Sequence, residues 1–227
     1  MKKNFYAIAM LLFTNIVHAQ KIEGLAGFIQ SGYLNASNAA KTFSQVYPFN
    51  TAAFANNYFL IGAEAFYREK NNVFVGDWQF GLQKIYSLNN VHAGSSYEAV
   101  LAKYGRIVKE RKNFWLYPSA GAGASIISLT SYTKNNGVRE NVKTETLVSP
   151  AFDFGMNANF LMSKLKWNEK YYLGWIMGIK AGYRISVKSN RWQNDDDNFY
   201  KKIEIPSYAN NAFYVTLSFG GGSFDKK

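Results

Sequence analysis

Few residues in this chain could carry covalent or metal chemistry. Its 227 residues include no cysteine, which removes a thiolate nucleophile, a thiolate metal site and any disulfide. One of its two histidines, His92, stands in the stretch Val91-His92-Ala93-Gly94-Ser95-Ser96-Tyr97-Glu98. His92, Ser96 and Glu98 are the residue types of a hydrolytic triad, in which a base within hydrogen-bond reach activates the serine and an acid orients the base. The three straddle a loop and a strand end, and no hydrolase motif surrounds them, so a solvated loop histidine is the plainer reading. Asp195-Asp196-Asp197 offers carboxylates to calcium but lacks the Asp-x-Asp-x-Asp-Gly order of a calcium loop. It reads as a solvated loop tip. Gly121 and Gly123 in Ser119-Ala120-Gly121-Ala122-Gly123 recur at period two, which marks close packing in a strand rather than a phosphate cradle. No catalytic residue, no metal and no cofactor is expected.

The remaining chemistry is charge. Lys and Arg number 26 against 15 Asp and Glu, a formal net charge of +11. A basic excess can signal nucleic acid, but the N-terminus points elsewhere. Met1-Lys2-Lys3 precedes a mostly apolar run from Phe5 to Val17, and Val17-His18-Ala19 ends on a small residue before Gln20. This is the three-part pattern of a secretory signal peptide. The apolar run of 13 residues falls short of the roughly 20 that a spanning helix needs. Residues 1–19 are read as a cleaved leader and 20–227 as the mature domain, whose charge is +9 once Lys2 and Lys3 are removed. Nucleic acid is not an expected partner of an exported chain. The lysine-rich start and the Ala-Gln junction resemble those of exported proteins of the Bacteroidota.

The elements that must position these charges are strands. Hydrophobic residues make up 48% of the chain and aromatic residues 17%, with only four prolines, a composition that favours strands over helices. Apolar and small or polar residues alternate at period two over long stretches. The alternation predicts eight strands near 22–34, 57–69, 73–86, 96–108, 114–132, 147–163, 171–187 and 210–223, with helical spacing absent after residue 20. The connections alternate long and short, with long ones at 35–56, 87–95, 133–146 and 188–209. Short turns at one end and long loops at the other describe an up-and-down meander, the asymmetry of an outer-membrane barrel.

Which face is oily decides the solvent. On 171–187, Trp175, Met177 and Ile179 share a face opposite Gly174, Gly178, Lys180, Gly182 and Arg184. Phe152 and Phe154 oppose Asp153, Gly155, Asn157 and Asn159; Trp78 and Phe80 oppose Asp77 and Gln79; Phe213 and Leu217 oppose Thr216 and Ser218. An eight-stranded lumen is only wide enough for side chains. Gly, Ser, Asn and Asp suit it better than Trp175, Met177 or Phe154, so the expected lipid-facing set is Trp78, Phe80, Phe152, Phe154, Trp175, Met177, Ile179, Phe213 and Leu217. Tyr33, Tyr58, Tyr67, Tyr86, Tyr97, Trp115, Tyr132, Trp167 and Tyr171 fall near strand ends, where amphipathic rings favour the membrane boundary. Pro118 and Pro150 lie inside expected strands of a sheet with no free edge, so bulges or late pairing are expected there. Lys103 lies on the nominal lipid face of 96–108, where a midplane charge costs roughly 2–4 kcal/mol; it either snorkels to the boundary or a bulge shifts the phase.

On this pattern the chain resembles the small eight-stranded outer-membrane barrels of Gram-negative bacteria, the OmpA/OmpX/OmpW-like group. The resemblance covers residues 20–227. It rests on architecture and on the alternation Phe213, Val215, Leu217, Phe219, while the tail Asp225-Lys226-Lys227 departs from that group's terminal aromatic residue. It implies an all-β, eight-stranded antiparallel transmembrane barrel in the outer membrane, a monomer. The implied partners are outer-membrane lipid and lipopolysaccharide, with the barrel-assembly machinery during insertion. Lys109, Arg111, Lys112, Lys164, Lys166 and Lys170 are expected in the short turns, beside anionic headgroups.

The expected lumen set is Glu64, Asp77, Glu98 and Asp153 against Arg68, Arg106, Lys180 and Arg184. Counting outward from the turns sets Glu64 beside Asp77, Asp77 beside Arg106, and Asp153 level with Lys180. Unpaired charge in a narrow lumen is very costly, so four acids meeting four bases read as a seal. A structural or surface-interaction role follows. The alternatives are a channel for small or hydrophobic solutes, similar to the OmpW-like branch, and, more remotely, a lipid hydrolase.

Overall fold

A computed structural model describes residues 23–46, 56–83, 86–88, 90–135, 138–166, 170–194 and 207–225. The expected leader at 1–19 and Asp195-Asp196-Asp197 lie outside them. The strands are β1 (Gly24–Ala36), β2 (Asn57–Glu69), β3 (Asn72–Leu82), β4 (Tyr86–Leu88), β5 (Val91–Arg106), β6 (Lys109–Arg111), β7 (Phe114–Asn135), β8 (Val138–Lys166), β9 (Tyr171–Ser186), β10 (Trp192–Asn194) and β11 (Ala212–Asp225), with one helix, α1 (Ala39–Val46).

Eight strands close a ring in the order β1-β2-β3-β5-β7-β8-β9-β11, and β11 returns antiparallel to β1 from Gly24↔Phe224 to Ala36↔Ala212. The fold is an eight-stranded antiparallel up-and-down barrel. Following hydrogen-bonded partners once around, Gly24 leads to Arg68, Val73, Gly105, Ser119, Gly155, Gly182 and Tyr214, and the path re-enters β1 at Leu34, ten residues from its start. With strands about 4.8 Å apart and about 3.3 Å per residue, eight strands and this stagger fix a tilt of roughly 41° and a backbone radius of about 8 Å. At this radius the interior is wide enough for side chains to fill.

Turn chemistry sets the register. Lys70 (φ 54°) sits in the two-residue turn joining Glu69 to Asn72, and Asn90 (φ 66°) in the turn joining Leu88 to Val91. Positive φ gives such turns the twist their strands require. β4 continues the β3 arm of that second hairpin, so pairing begins at Leu88↔Val91 instead of beyond residue 95. β5 is therefore longer at its N-terminal end than its sequence pattern suggests.

Of the two expected outcomes at the prolines, bulges are absent and late pairing is found. Register runs unbroken through Pro118↔Met156 and Ala124↔Pro150, and the shifts in this region fall at Ser131/Thr133 and Leu161/Ser163. Pro150 O accepts from Val187 N at 2.9 Å, just past the end of the β8–β9 pairing at Ala151↔Ser186. A residue's N and O point to the same side of an antiparallel strand, so the missing donor falls at the last rung toward β9, opposite Val187, and the pairing with β7 loses nothing. Pro118 likewise lies between the β5 pairing, which ends at Gly105↔Ser119, and the β6 pairing, which begins at Lys109↔Leu116.

The long connection after β1 holds α1, although no helix is expected there. Eight residues are too few to show a period, and the helix is held by tertiary contacts. Asn56 Oδ1 accepts from Ala40 N at 3.0 Å, and Ala39 and Phe43 are fully buried among barrel side chains.

Side chains alternate across the barrel wall throughout. Trp78, Phe152, Phe154, Trp175, Met177, Ile179, Phe213 and Leu217 are exposed on the outer surface, with Leu217 57% and Trp175 49% exposed, and Phe80 is half-buried on the same outer face. An outer wall this apolar around a charged interior is the inverse of a soluble cup, and it is the arrangement of a barrel that spans a membrane.

Candidate functional site

The interior is organised around one layer of charge at mid-barrel. Glu64 and Asp77 are Cα partners on β2 and β3. Lys180, from β9, donates to Glu64. Lys103, from β5, lies 2.7 Å from Asp77 and 2.9 Å from Asp153 and so bridges the two carboxylates. Arg184 donates to Asp153 Oδ2 through Nε at 3.0 Å and Nη2 at 2.9 Å, to Gln79 Oε1 at 3.2 Å, and to Tyr97 OH. Tyr214 OH donates to Asp153 Oδ1 at 2.8 Å; Gln79 Nε2 donates to Asp77 Oδ2 at 3.0 Å, and Gln30 Nε2 to its other oxygen. Three acids thus meet three bases. The outward neighbours of Asp153 are Phe152 and Phe154, and Trp78 follows Asp77, so the layer lies level with the most apolar part of the outer wall.

Two residues of the expected set are corrected. Glu98 and Arg106 do not enter the lumen. On β5 the inward residues are Ala93, Ser95, Tyr97, Ala99, Leu101, Lys103 and Gly105, which places Glu98 and Arg106 on the outer face. Glu98 instead accepts from Trp78 Nε1 at 2.7 Å on the outer surface. Asp77 pairs with Leu101, five residues from the expected partner Arg106, because the hairpin closes already at Leu88↔Val91. A slip of one residue exchanges the faces of a whole strand. Asp153 is likewise level with Arg184, and Lys180 with Asn157, because the β8–β9 turn lies closer to β9 than expected.

Arg68 is buried, but well below the layer. Its Nη2 donates to Glu110 of β6 at 2.7 Å, its Nε to Lys70 O at 2.9 Å, and its guanidinium lies 5.6 Å from the Trp115 ring. Added to the layer, this pair gives four acids and four bases, with Glu110 of β6 and Lys103 in place of Glu98 and Arg106. Lys103 had a readable signal: it is the single charge in the middle of its strand, whereas Glu98 and Arg106 lie toward the boundaries. Glu110 had none, because it lies outside the long strands.

Two apolar plugs enclose the layer. Above it, Leu34, Tyr58, Leu60, Tyr97, Ile127, Leu129 and Phe43 of α1 form one buried cluster; below it, Phe28, Phe66, Val75, Trp115, Tyr117, Ile176 and Phe224 form another. The expectation that small residues fill the lumen therefore holds only for part of the wall. Bulky side chains stand beside glycines: Tyr214 of β11 at Gly155 and Gly182, Tyr58, Leu60 and Tyr97 at Gly81 of β3, and Tyr117 at Gly105 of β5. A methyl at Gly182 would lie 2.6 Å from Phe154 O and from the Tyr214 ring. Tyr58, Tyr97 and Trp115 accordingly point inward and belong to the plugs, not to the boundary, while Tyr33, Tyr67 and Tyr171 are exposed outside. Tyr86 and Trp167 have no described side chain.

His92 stacks on Tyr132 with ring centroids 4.8 Å apart. Ser96 lies four residues along the same strand, about 13 Å away at the rise of an extended chain, so His92, Ser96 and Glu98 do not assemble a triad. Among the described residues no three His, Asp or Glu side chains form a metal-ligating group. Lys109, Arg111, Lys112, Lys164 and Lys170 are exposed at the short-turn end.

No protein-family model matches this chain, and no curated protein matches its sequence. Among solved structures it is similar to the attachment invasion locus protein of Yersinia pestis, at 12% identity over 91% of this chain and 99% of that one, with a TM-score of 0.41. It is similar to Neisserial surface protein A at 12% identity over 92% and 100%, with a TM-score of 0.38. It is also similar to a major outer membrane protein of Thermus thermophilus at 10% identity over 89% and 98%, with a TM-score of 0.41. The assignment as a barrel rests on the strand pairing described above.

Proposed function

We propose that this chain is an integral outer-membrane protein whose barrel is closed to solutes and serves as an anchor for the structure that rises above it. The observation that carries the reading is the neutral charge layer held between two apolar plugs. A conducting lumen presents one sign of charge along a water-lined path; here the charges are matched in pairs and the space above and below them is filled with rings. The leader pattern and the apolar outer wall support export to the outer membrane. The short turns then face the periplasm, with the termini, and the long connections face outward. β7 and β8 carry the outward structure, since β8 runs on from Pro150 to Val138 beyond its last β9 partner. Lipopolysaccharide and outer-membrane lipid are the surrounding partners in this reading, and one chain closes the barrel without a second copy.

Planar-bilayer recording of the refolded protein tests closure: no steady conductance is expected, and a steady conductance would replace the anchor with a channel for small or hydrophobic solutes. Location is read from gel migration. The outer-membrane fraction should contain a band that shifts on boiling, and its absence from that fraction would overturn the assignment.

A further inference from the structure

Toward the long-loop end, the outer face of β7 and β8 changes from apolar to hydroxyl and then to charge. Ile126 and Val148 are level, and Val148 is an exposed apolar side chain. The next two outward rows pair Ser128 with Thr146 at 3.1 Å and Thr130 with Thr144 at 3.3 Å. A hydroxyl has one donor and two acceptor sites, so each pair keeps a donor and acceptors for a further partner. Above these rows stands Tyr132. His92 of β5 stacks on its ring at 4.8 Å, and the Arg139 guanidinium of β8 lies 4.8 Å from the ring centre. β5 and β8 flank β7 in the ring, so the two groups reach Tyr132 from opposite sides. Arg139 is exposed, and its Cα partner Lys134 is exposed as well. Like charges directly opposite on one sheet face are unfavourable, and here neither is neutralised. The carboxylate of neighbouring Glu140 accepts from Asn135 Nδ2 at 2.8 Å. Among the described residues neither Lys134 nor Arg139 forms an ion pair.

Stacking holds the guanidinium by its face and leaves its N–H edge free to donate. A group fixed in this way has given up its freedom before a ligand arrives, and its planar fork matches a phosphate. Height selects the source of that phosphate. Tyr132 lies six residues beyond Ile126 on β7, about 15 Å higher at the rise of a strand and the tilt of the barrel. The headgroup zone of a phospholipid leaflet is only about 5–8 Å deep, so a phospholipid phosphate stops among the hydroxyl rows. An anionic lipid that carries phosphate on sugars reaches past them, and hydroxyl rows suit sugars. We propose that this face of β7 and β8 seats the phosphorylated saccharide headgroup of an outer-leaflet glycolipid. Arg139 and Lys134 take a phosphate, and the Ser128–Thr146 and Thr130–Thr144 pairs run along the sugars. The inference rests on the outward orientation of the β7–β8 extension in the reading above and gives its lipid partner a site.

The test uses the refolded full chain in bicelles. The probes are lipopolysaccharide, the same material stripped of phosphate, phosphatidylglycerol and inorganic phosphate, and the readouts are the Arg139 Nε–H resonance and the dissociation constant. Lipopolysaccharide is expected to shift that resonance. Removing its phosphate should weaken binding to the wild-type protein at least about tenfold, and Arg139→Gln with Lys134→Gln should weaken binding of the intact lipid by a similar factor. Equal affinity for the dephosphorylated material overturns the proposal, and that arm needs no variant. Undiminished affinity in a double variant that keeps its shift in migration on boiling overturns it too. Saturation by phosphatidylglycerol or by inorganic phosphate at the same concentration removes the glycolipid as occupant. Any of these results in a barrel found in the outer-membrane fraction sinks only this inference, while absence from that fraction sinks the reading on which it rests.

Discussion

Lys103 Nζ lies 2.7 Å from Asp77, although β3 and β5 set Asp77 level with Leu101 and Lys103 two residues away on the same inner face. The lysine reaches diagonally to that carboxylate and at the same time to Asp153, 2.9 Å away on β8. One side chain thus ties strands from opposite arcs of the barrel.

Lys103→Met should strongly destabilise the barrel, because it leaves Asp77 and Asp153 buried without their shared cation. Breaking a buried pair from one side typically costs about 3–5 kcal/mol. Urea unfolding in lipid vesicles measures it, and stability equal to wild type would mean that the layer does not hold the wall together.

Arg106→Ala should be nearly silent, within about 0.5 kcal/mol, since the side chain is exposed outside the lumen. The same unfolding assay applies. A loss comparable to that of Lys103→Met would return Arg106 to the interior and reverse the phase of β5.

Leu217→Arg should cost about 2–4 kcal/mol, the penalty for a cation on the lipid face near the membrane midplane. Leu217 is among the most exposed apolar side chains and is level with Ile179 of the neighbouring strand. An unchanged vesicle-unfolding midpoint would place that face away from acyl chains.

Glu145 lies on the part of β8 above the last β9 partner, where burial raises its carboxyl above the usual range while nearby Lys143 pulls it down by less. A raised acid stabilises the folded form below its unfolded pKa, and that contribution is lost as pH rises through the folded value. The extension should therefore open more readily at pH 7 than at pH 4, and Glu145→Gln should flatten this dependence. Amide exchange of residues 143–147, corrected for the intrinsic effect of pH, measures it; a slope unchanged in Glu145→Gln would assign the effect to another group.

Strand number, strand order and the oily face were legible in the chain because each follows from a local rule. Period-two alternation along 171–187 separates Trp175 and Met177 from Lys180 and Arg184 without any knowledge of neighbours, and alternating loop lengths imply a meander. Which charges meet was not legible, because register depends on where each hairpin turns, and closure at Leu88↔Val91 moves Asp77 by five residues against β5. On that strand both faces mix apolar and charged residues: Tyr97, Ala99 and Leu101 join the upper plug from inside while Val100 and Tyr104 meet the outside. Local pattern therefore could not choose its phase. Closure of the ring with a stagger of ten chose it, because only one alignment brings Lys103 to the two carboxylates and leaves Glu98 and Arg106 outside the lumen.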